Sequence, residues 1–239
     1  MLIDESYMFD YINCPAKYYI KYHTKINLKE EISLPLFLNQ ISNFFFSQLL
    51  NGKVPTYSDL KKRWDRICEH NQAYLDNKKI LLGWGMIIKM AEWTEQNQLC
   101  VGDINARYLL NFDKYSIQGH IPIISVTNDK KIELLYLYYG EHLPDKIDID
   151  MRLKYTLDYM GFYSIYNTYP DIIKIHSVKY NQDFFTNRTK PDMVRLENTV
   201  KNISKCIENN LFYPRESTFC KSCVGRQYCK YLNIKEVKK

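Results

Sequence analysis

Residues 106–139, ARYLLNFDKYSIQGHIPIISVTNDKKIELLYLYY, mark a change in the period of the chain. ARYLLNF, YSIQGHIPIISV and KIELLYLYY are short and rich in β-branched and aromatic residues, and Asp113-Lys114 and Asn128-Asp129-Lys130 separate them with turn-forming side chains. They predict a meander of three strands. Upstream the pattern is helical. Residues 5–22 form a helix with Ser6 as N-cap and Pro15 kinking or splitting it. LPLFLNQISNFFFSQLLNG forms an apolar helix that stops at Asn51-Gly52, TYSDLKKRWDRICEHNQAYL starts another with Ser58 as cap, and a third covers 78–97, where Gly83 and Gly85 weaken the first turn. Downstream, MRLKYTLDYMGFYSIYNTY returns to helical spacing, DIIKIHSVKY reads as a fourth strand, and PDMVRLENTVKNISKCIENN as a long amphipathic helix. Helices, meander, helix, strand and helix in this order predict an α/β (mixed α+β) fold on a central sheet flanked by helices.

With 239 residues, 46% of them hydrophobic and 25% charged, the chain suits one soluble globular domain over 1–239 and excludes disorder, collagen and a small disulfide scaffold. No repeat and no Pro/Gly/Ser linker marks a boundary. No apolar run approaches the roughly 20 residues that span a bilayer, and MLIDESYMFDY lacks the basic and apolar regions of a secretion signal. The expectation is a cytoplasmic protein with no membrane partner, in the host cytoplasm if phage-encoded. The net charge, 33 − 27 = +6, permits a nucleic-acid partner without demonstrating one.

Seven cysteines, in a chain without an export signal, point to thiols or metal ligands over disulfides. Cys68, Cys100 and Cys206 stand alone within helix-like or strand-like stretches and read as small buried hydrophobes. Cys220, Cys223 and Cys229 crowd into FCKSCVGRQYCKY, and Cys14 lies in YINCPAKYY near the other end. Four thiolates satisfy a [4Fe–4S] cube or a tetrahedral zinc, with one loop supplying three and tertiary folding the fourth. Ligand chemistry alone does not separate the two metals. Lys221, Arg226 and Lys230 interleave with these ligands, where they either contact phosphate or form solvated surface.

Cys14-Pro15 followed by Tyr18, the distant C-x2-C-x5-C of Cys220, Cys223 and Cys229, and FYPRES just before it resemble the RecB-like, AddB-type iron–sulfur nucleases of the PD-(D/E)XK superfamily, which include CRISPR-associated and phage RecB-like exonucleases. The similarity covers nearly the whole chain. It implies a restriction-endonuclease-like sheet. It also implies a [4Fe–4S] cluster on Cys14, Cys220, Cys223 and Cys229 that fastens segments 1–25 and 211–239 into one module.

The nuclease motifs depart from that pattern. Family members carry Gly-x-Ile-Asp on one strand and Asp/Glu-x-Lys on the next, acids that bind Mg²⁺ and a lysine that positions the attacking water. Here the first reads Gly119-His120-Ile121-Pro122 and the second Tyr136-Leu137-Tyr138, so Pro122, Tyr136 and Tyr138 occupy the motif positions. The upstream helix, where relatives place a histidine, offers Asn39, Gln40 or Asn43, and the later Gln-x-x-x-Tyr corresponds to Tyr159-x-x-x-Tyr163. Asp103, Asp113, Glu133 and Glu141 flank the meander, but strand alternation puts Glu133 on the face opposite Tyr136 and Tyr138. His120 reads as a satisfied or exposed strand residue, not a ligand. Tyr136 and Tyr138 either fill the vacated pocket or stack on bases.

Three functions follow as expectations. The first is a degenerate nuclease fold, not itself an enzyme, that binds or positions DNA inside a replication, recombination or transcription complex. Its contacts would be Arg215, Lys221, Arg226 and Lys230, with Lys179, Arg188 and Lys190 as weaker candidates. The second is an active metal-dependent exonuclease with relocated ligands. The third is a protein-interaction scaffold in a polymerase or helicase complex.

Overall fold

The computed structural model describes residues 2–28, 32–112, 114–221 and 223–232, and within these every side chain except those of 219 and 230–232. The elements run β1 (Leu2–Asp4), α1 (Glu5–Asn13), α2 (Pro15–His23), α3 (Leu34–Leu50), α4 (Tyr57–His70), α5 (Asn77–Gln96), β2 (Cys100–Phe112), β3 (Tyr115–Val126), β4 (Ile132–Tyr138), α6 (Lys146–Met151), α7 (Leu153–Tyr166), β5 (Ile172–Ser177), β6 (Gln182–Thr186), α8 (Lys190–Glu208) and α9 (Arg226–Leu232). Among the described residues no helix is long and apolar enough to cross a membrane.

Six strands form a mixed sheet in the order β1-β3-β4-β5-β6, with β2 also paired to β3. β3 and β4 are antiparallel, with Ile124 opposite Leu134; β4 and β5 are parallel, with Tyr136 beside Ile175; β5 and β6 form an antiparallel hairpin. The sheet flanked by helices is the architecture that the sequence predicts. The chain divides into two compact units. The first comprises 1–31, 109–119 and 191–239; the second comprises 32–108 and 120–190.

Local signals explain the boundaries. Asp4, not Ser6, caps α1: its carboxylate accepts the Ser6 N–H at 2.9 Å, while Pro15 opens α2 after an extended Cys14. Thr56, not Ser58, caps α4, because Asp59 closes a reciprocal capping box with it. α3 does end at Asn51, with Gly52 at φ 70°.

In the second unit, one sheet face packs on α3, α4 and α5. Ile123, Leu135 and Tyr139 meet Phe45, Trp64, Met90 and Trp93 there. Gly83 is required in this core, since a Cβ would fall 2.5 Å from the Trp64 ring. His176 of β5 is fully buried and stacked on Trp93, with centroids 3.9 Å apart, and its Nδ1 lies 2.7 Å from Asp183. Burial alone would push the Asp183 carboxyl up, but the His176 hydrogen bond and the Lys174 ammonium hold it below the usual carboxylate range.

In the first unit, β1 runs parallel to β3, with Ile3 beside Ile117, and α1 and α2 pack on the tail. Phe212 inserts among Tyr18, Tyr19 and His23, with centroids 6.0, 4.9 and 5.2 Å away. Of the lone cysteines only Cys68 is buried; Cys100 is exposed near the start of β2, and Cys206 is half-buried on α8. Cys100 therefore departs from the buried-hydrophobe reading, and Cys206 departs in part: its half-buried thiol lies against the Tyr11 hydroxyl.

Candidate functional site: four convergent cysteines and a closed carboxylate network

Cys14, Cys220, Cys223 and Cys229 line one cavity of ≈ 370 Å³ in the first unit, together with Lys17, Ile20, Arg215, Glu216 and Arg226. Backbone geometry builds it. Cys14 occupies the extended joint between α1 and α2, and the Ala16 N–H donates to the Tyr213 carbonyl at 3.1 Å, which brings the tail alongside. Arg215 fixes the approach by donating from Nη1 to the Ile12 carbonyl at 2.7 Å. A 3₁₀ turn over Thr218–Lys221 then presents Cys220, whose Sγ accepts the Ser217 N–H at 3.4 Å, and the first turn of α9 carries Cys229. Gly225 lies on the cavity floor, in ordinary contact range of the Cys223 Sγ and Ile20.

Crowding shapes the chemistry of these thiols. Burial pushes the Cys229 thiol up, and nearby Cys14, Cys223, Cys220 and Glu216 push it the same way. Four soft thiol donors facing one cavity are a donor set suited to a cationic, thiophilic centre. Among the described residues, no three His, Cys, Asp or Glu side chains stand close enough to hold a single metal ion.

The proposed phosphate contacts distribute unevenly. Lys221 and Arg226 are exposed beside the cysteines, Arg215 is exposed but tied to Ile12, and the side chain of Lys230 lies outside the described residues. Lys17 joins the rim, although the tail spacing gives no hint of it. In the second unit, Lys190 is exposed, while Lys179 donates to the Glu141 carbonyl at 3.0 Å. Arg188 is unsuited to contact a ligand. It is buried and donates to Thr186 Oγ1 and the Ile149 carbonyl at 2.8 and 3.0 Å, so it fastens β6 to α6.

The nuclease-motif positions lie on the sheet face turned to α7. Tyr136 donates from its hydroxyl to Asp158 Oδ2 and tilts against Tyr155 at 4.5 Å. Extending the β3–β4 register by one residue places Pro122 beside Tyr136, where the missing N–H ends the ladder. Tyr138 is half-buried, and its hydroxyl covers Gly140, where a Cβ would lie 2.1 Å away. Asn39, Gln40 and Asn43 are exposed; α3 instead turns Ser42 inward, where its hydroxyl shares a hydrogen bond with Tyr139.

Asp158 is the acid on this face, and the motif reading does not point to it. Its side chain is 0% exposed. Oδ1 accepts from Tyr108 at 2.8 Å and from Lys154 Nζ at 2.7 Å, while Oδ2 accepts from Tyr136. Lys154 also donates to the His120 carbonyl at 2.9 Å. Gly161 permits the approach, since a Cβ there would meet the Tyr108 ring at 2.4 Å. The signal available in the sequence is Lys154-x-x-x-Asp158 on the same helical stripe as Tyr155 and Phe162. Tyr159 and Tyr163 lie one position round the helix and stack instead on Tyr169.

The flanking acids do not gather here. Glu133 is buried on the opposite face near Ser125 Oγ at 3.4 Å, Asp103 accepts from the Tyr166 hydroxyl at 2.8 Å, and Glu141 is exposed. Asp113 lies outside the described residues. His120 is exposed.

No protein-family model and no curated protein sequence matches the chain. Among solved structures, an Eubacterium rectale protein described as "Putative exonuclease" superposes with a TM-score of 0.59 at 11% identity, covering 95% of this chain and 87% of its own. A second structure, SSO0001, covers 90% and 93% at 13% identity, but its TM-score of 0.39 carries no weight. The shared feature is the fold: a nuclease-like mixed α/β sheet flanked by helices.

Proposed function

We propose that the chain is a catalytically degenerate, RecB-like nuclease-fold protein that holds one [4Fe–4S] cluster on Cys14, Cys220, Cys223 and Cys229. The surface around the cluster binds or positions DNA within a larger nucleic-acid-processing complex. The convergence of four cysteines from the two chain ends on one cavity carries this reading. Zinc is the alternative, since the same four thiolates would satisfy a tetrahedral ion at a Zn–S distance of about 2.3 Å. The cluster would supply a rigid joint between tail and N-terminal helices, with Lys17, Arg215 and Arg226 offsetting its charge. Protein purified anaerobically should be brown and contain iron and sulfide; stoichiometric zinc without iron overturns the cluster and leaves the ligand set intact.

Hydrolysis is not expected. Divalent-metal phosphodiester cleavage needs open oxygen ligands, and both oxygens of Asp158 already accept hydrogen bonds. Single- and double-stranded DNA should therefore survive incubation with Mg²⁺ or Mn²⁺. Cleavage abolished by Asp158→Asn, Asp103→Asn or Glu133→Gln would establish relocated ligands and the active-nuclease reading.

DNA binding is tested separately. Lys221→Glu with Arg226→Glu should weaken binding and lower the salt slope by about 1.4–1.8, since each phosphate contact contributes roughly 0.7–0.9. Full DNA affinity with loss of a co-purifying polymerase or helicase would replace DNA binding with the scaffold reading.

A further inference from the structure

The end of α7 exposes large side chains in close succession. Tyr163, Tyr166 and Tyr169 are each 42% exposed, and Ile165 lies beside them. This arrangement is built locally. Asn167 takes the left-handed conformation at φ 53°, ends the helix and reverses the chain. Tyr169 then folds back so that its ring stacks on both Tyr163 and Tyr159, with centroids 4.5 and 4.8 Å away and planes within 21° and 14°. Tyr166 leans on Phe162 at 4.6 Å, and its hydroxyl donates to Asp103 Oδ2.

Two carboxylates border the rings. Asp103 faces Tyr166, and Asp171 lies near Tyr159, its Oδ2 held by the Ile132 N–H at 2.7 Å. Burial, followed by the hydrogen bond to Asp103, pushes the Tyr166 phenol up to about 12; burial, then Tyr169 and Asp171, push Tyr159 upward too. Pre-ordered aromatic rings lose little side-chain entropy on docking and are enriched among the residues that dominate interfaces. Carboxylates beside the rings repel phosphate and attract cations. A guanidinium satisfies both features, since it stacks on ring faces and pairs with carboxylates through a planar fork, whereas an ammonium offers only a point charge.

We propose that this corner, from Tyr159 to Asp171 with Asp103, is a docking surface for an arginine-bearing segment of a protein partner. It involves none of the cysteines and does not depend on a cluster. The probe is a synthetic Arg-Gly-Gly repeat peptide, titrated calorimetrically against the full chain beside its lysine analogue and single-stranded oligothymidylate. The arginine peptide should bind, the lysine analogue more weakly, and binding should fall about tenfold in Tyr163→Leu/Tyr169→Leu, which keeps apolar area but removes the rings. Asp103→Asn should weaken binding and flatten its salt dependence, and provides the same test should the tyrosine variant fail to fold. Equal affinity for both peptides, arginine-peptide binding unchanged in these variants, or oligothymidylate binding lost in them would each overturn the proposal.

Discussion

Cys14→Ser is expected to abolish cluster binding and to free part of the tail. In the proposed ligand set Cys14 alone comes from the N-terminal side; the other three cysteines lining the cavity belong to 220–229. Without it the remaining thiols have no covalent path through the metal centre to α1 and α2. Structural metal sites contribute on the order of 10 kcal/mol of folding free energy, comparable to the roughly 5–15 kcal/mol that holds a whole domain together. The loss should be graded along the tail. Residues 211–215 keep their own anchors: Tyr11 donates to the Leu211 carbonyl at 2.5 Å, Ala16 to Tyr213, Arg215 to Ile12, and Phe212 stays among its aromatic neighbours. From Thr218 to Cys229 the backbone bonds are mostly local, such as Cys229 N–H to Gly225 at 3.0 Å. Hydrogen exchange should therefore accelerate strongly across 218–229 and little at 211–213. Cys100→Ser and Cys206→Ser should leave iron content and visible absorption unchanged. Full iron retention in Cys14→Ser would remove it from the ligand set.

The meander was legible because strand propensity and turn residues agree there: β3 matches the apolar run 115–126, and β4 falls inside 131–139. Two strands escape a local reading for separate reasons. β1 has three residues and exists because Leu2, Ile3 and Asp4 find Ser116, Ile117 and Gln118 far along the chain. β6 follows a tight reversal through Asn181 at φ 50°, and its Phe184 and Phe185 break simple alternation. β2 begins earlier than ARYLLNF suggests, at Cys100, because Asn105 at φ 50° interrupts the pattern that would have revealed it. The caps moved by two residues: Asp4 and Ser6 are equally good by type, whereas at α4 the Thr56–Asp59 capping box selects Thr56 over Ser58.

The candidate site divides in the same way. Three cysteines within ten residues announce themselves. Cys14 is connected to them by resemblance, and the cavity they line is a product of tertiary folding. The Lys154-x-x-x-Asp158 spacing does not by itself mark a site, because an i,i+4 pair on a helix usually reads as surface decoration. What sets this pair apart is depth: Tyr108 and Tyr136 come from two strands to meet it.

That depth makes Lys154→Ala the second large effect expected. Breaking a buried ion pair by removing one partner leaves an uncompensated charge and costs about 3–5 kcal/mol; the Lys154 side chain is 23% exposed, so the lower end applies, about 3 kcal/mol. In a chain of this size that corresponds to a fall in melting temperature of roughly 6–12 °C. Tyr136→Phe removes one neutral donor and should cost less, about 1–3 kcal/mol. The decisive measurement is the cycle with Asp158→Asn. Once the carboxylate is neutral, deleting Lys154 should cost far less than it does in the parent chain, because the charge it compensates is gone. Additive costs would show Lys154 acting through packing alone, or through its bond to the His120 carbonyl. The same variants test the proposed absence of a metal site. Lys154→Ala with Tyr136→Phe releases two of the donors that bond Asp158 and leaves one carboxylate with fewer partners. One carboxylate does not assemble a Mg²⁺ site that needs several oxygen ligands in octahedral order. Calorimetric titration of the double variant with Mg²⁺ should register no binding, and heat of binding would show that the tyrosines mask a metal site instead of replacing it.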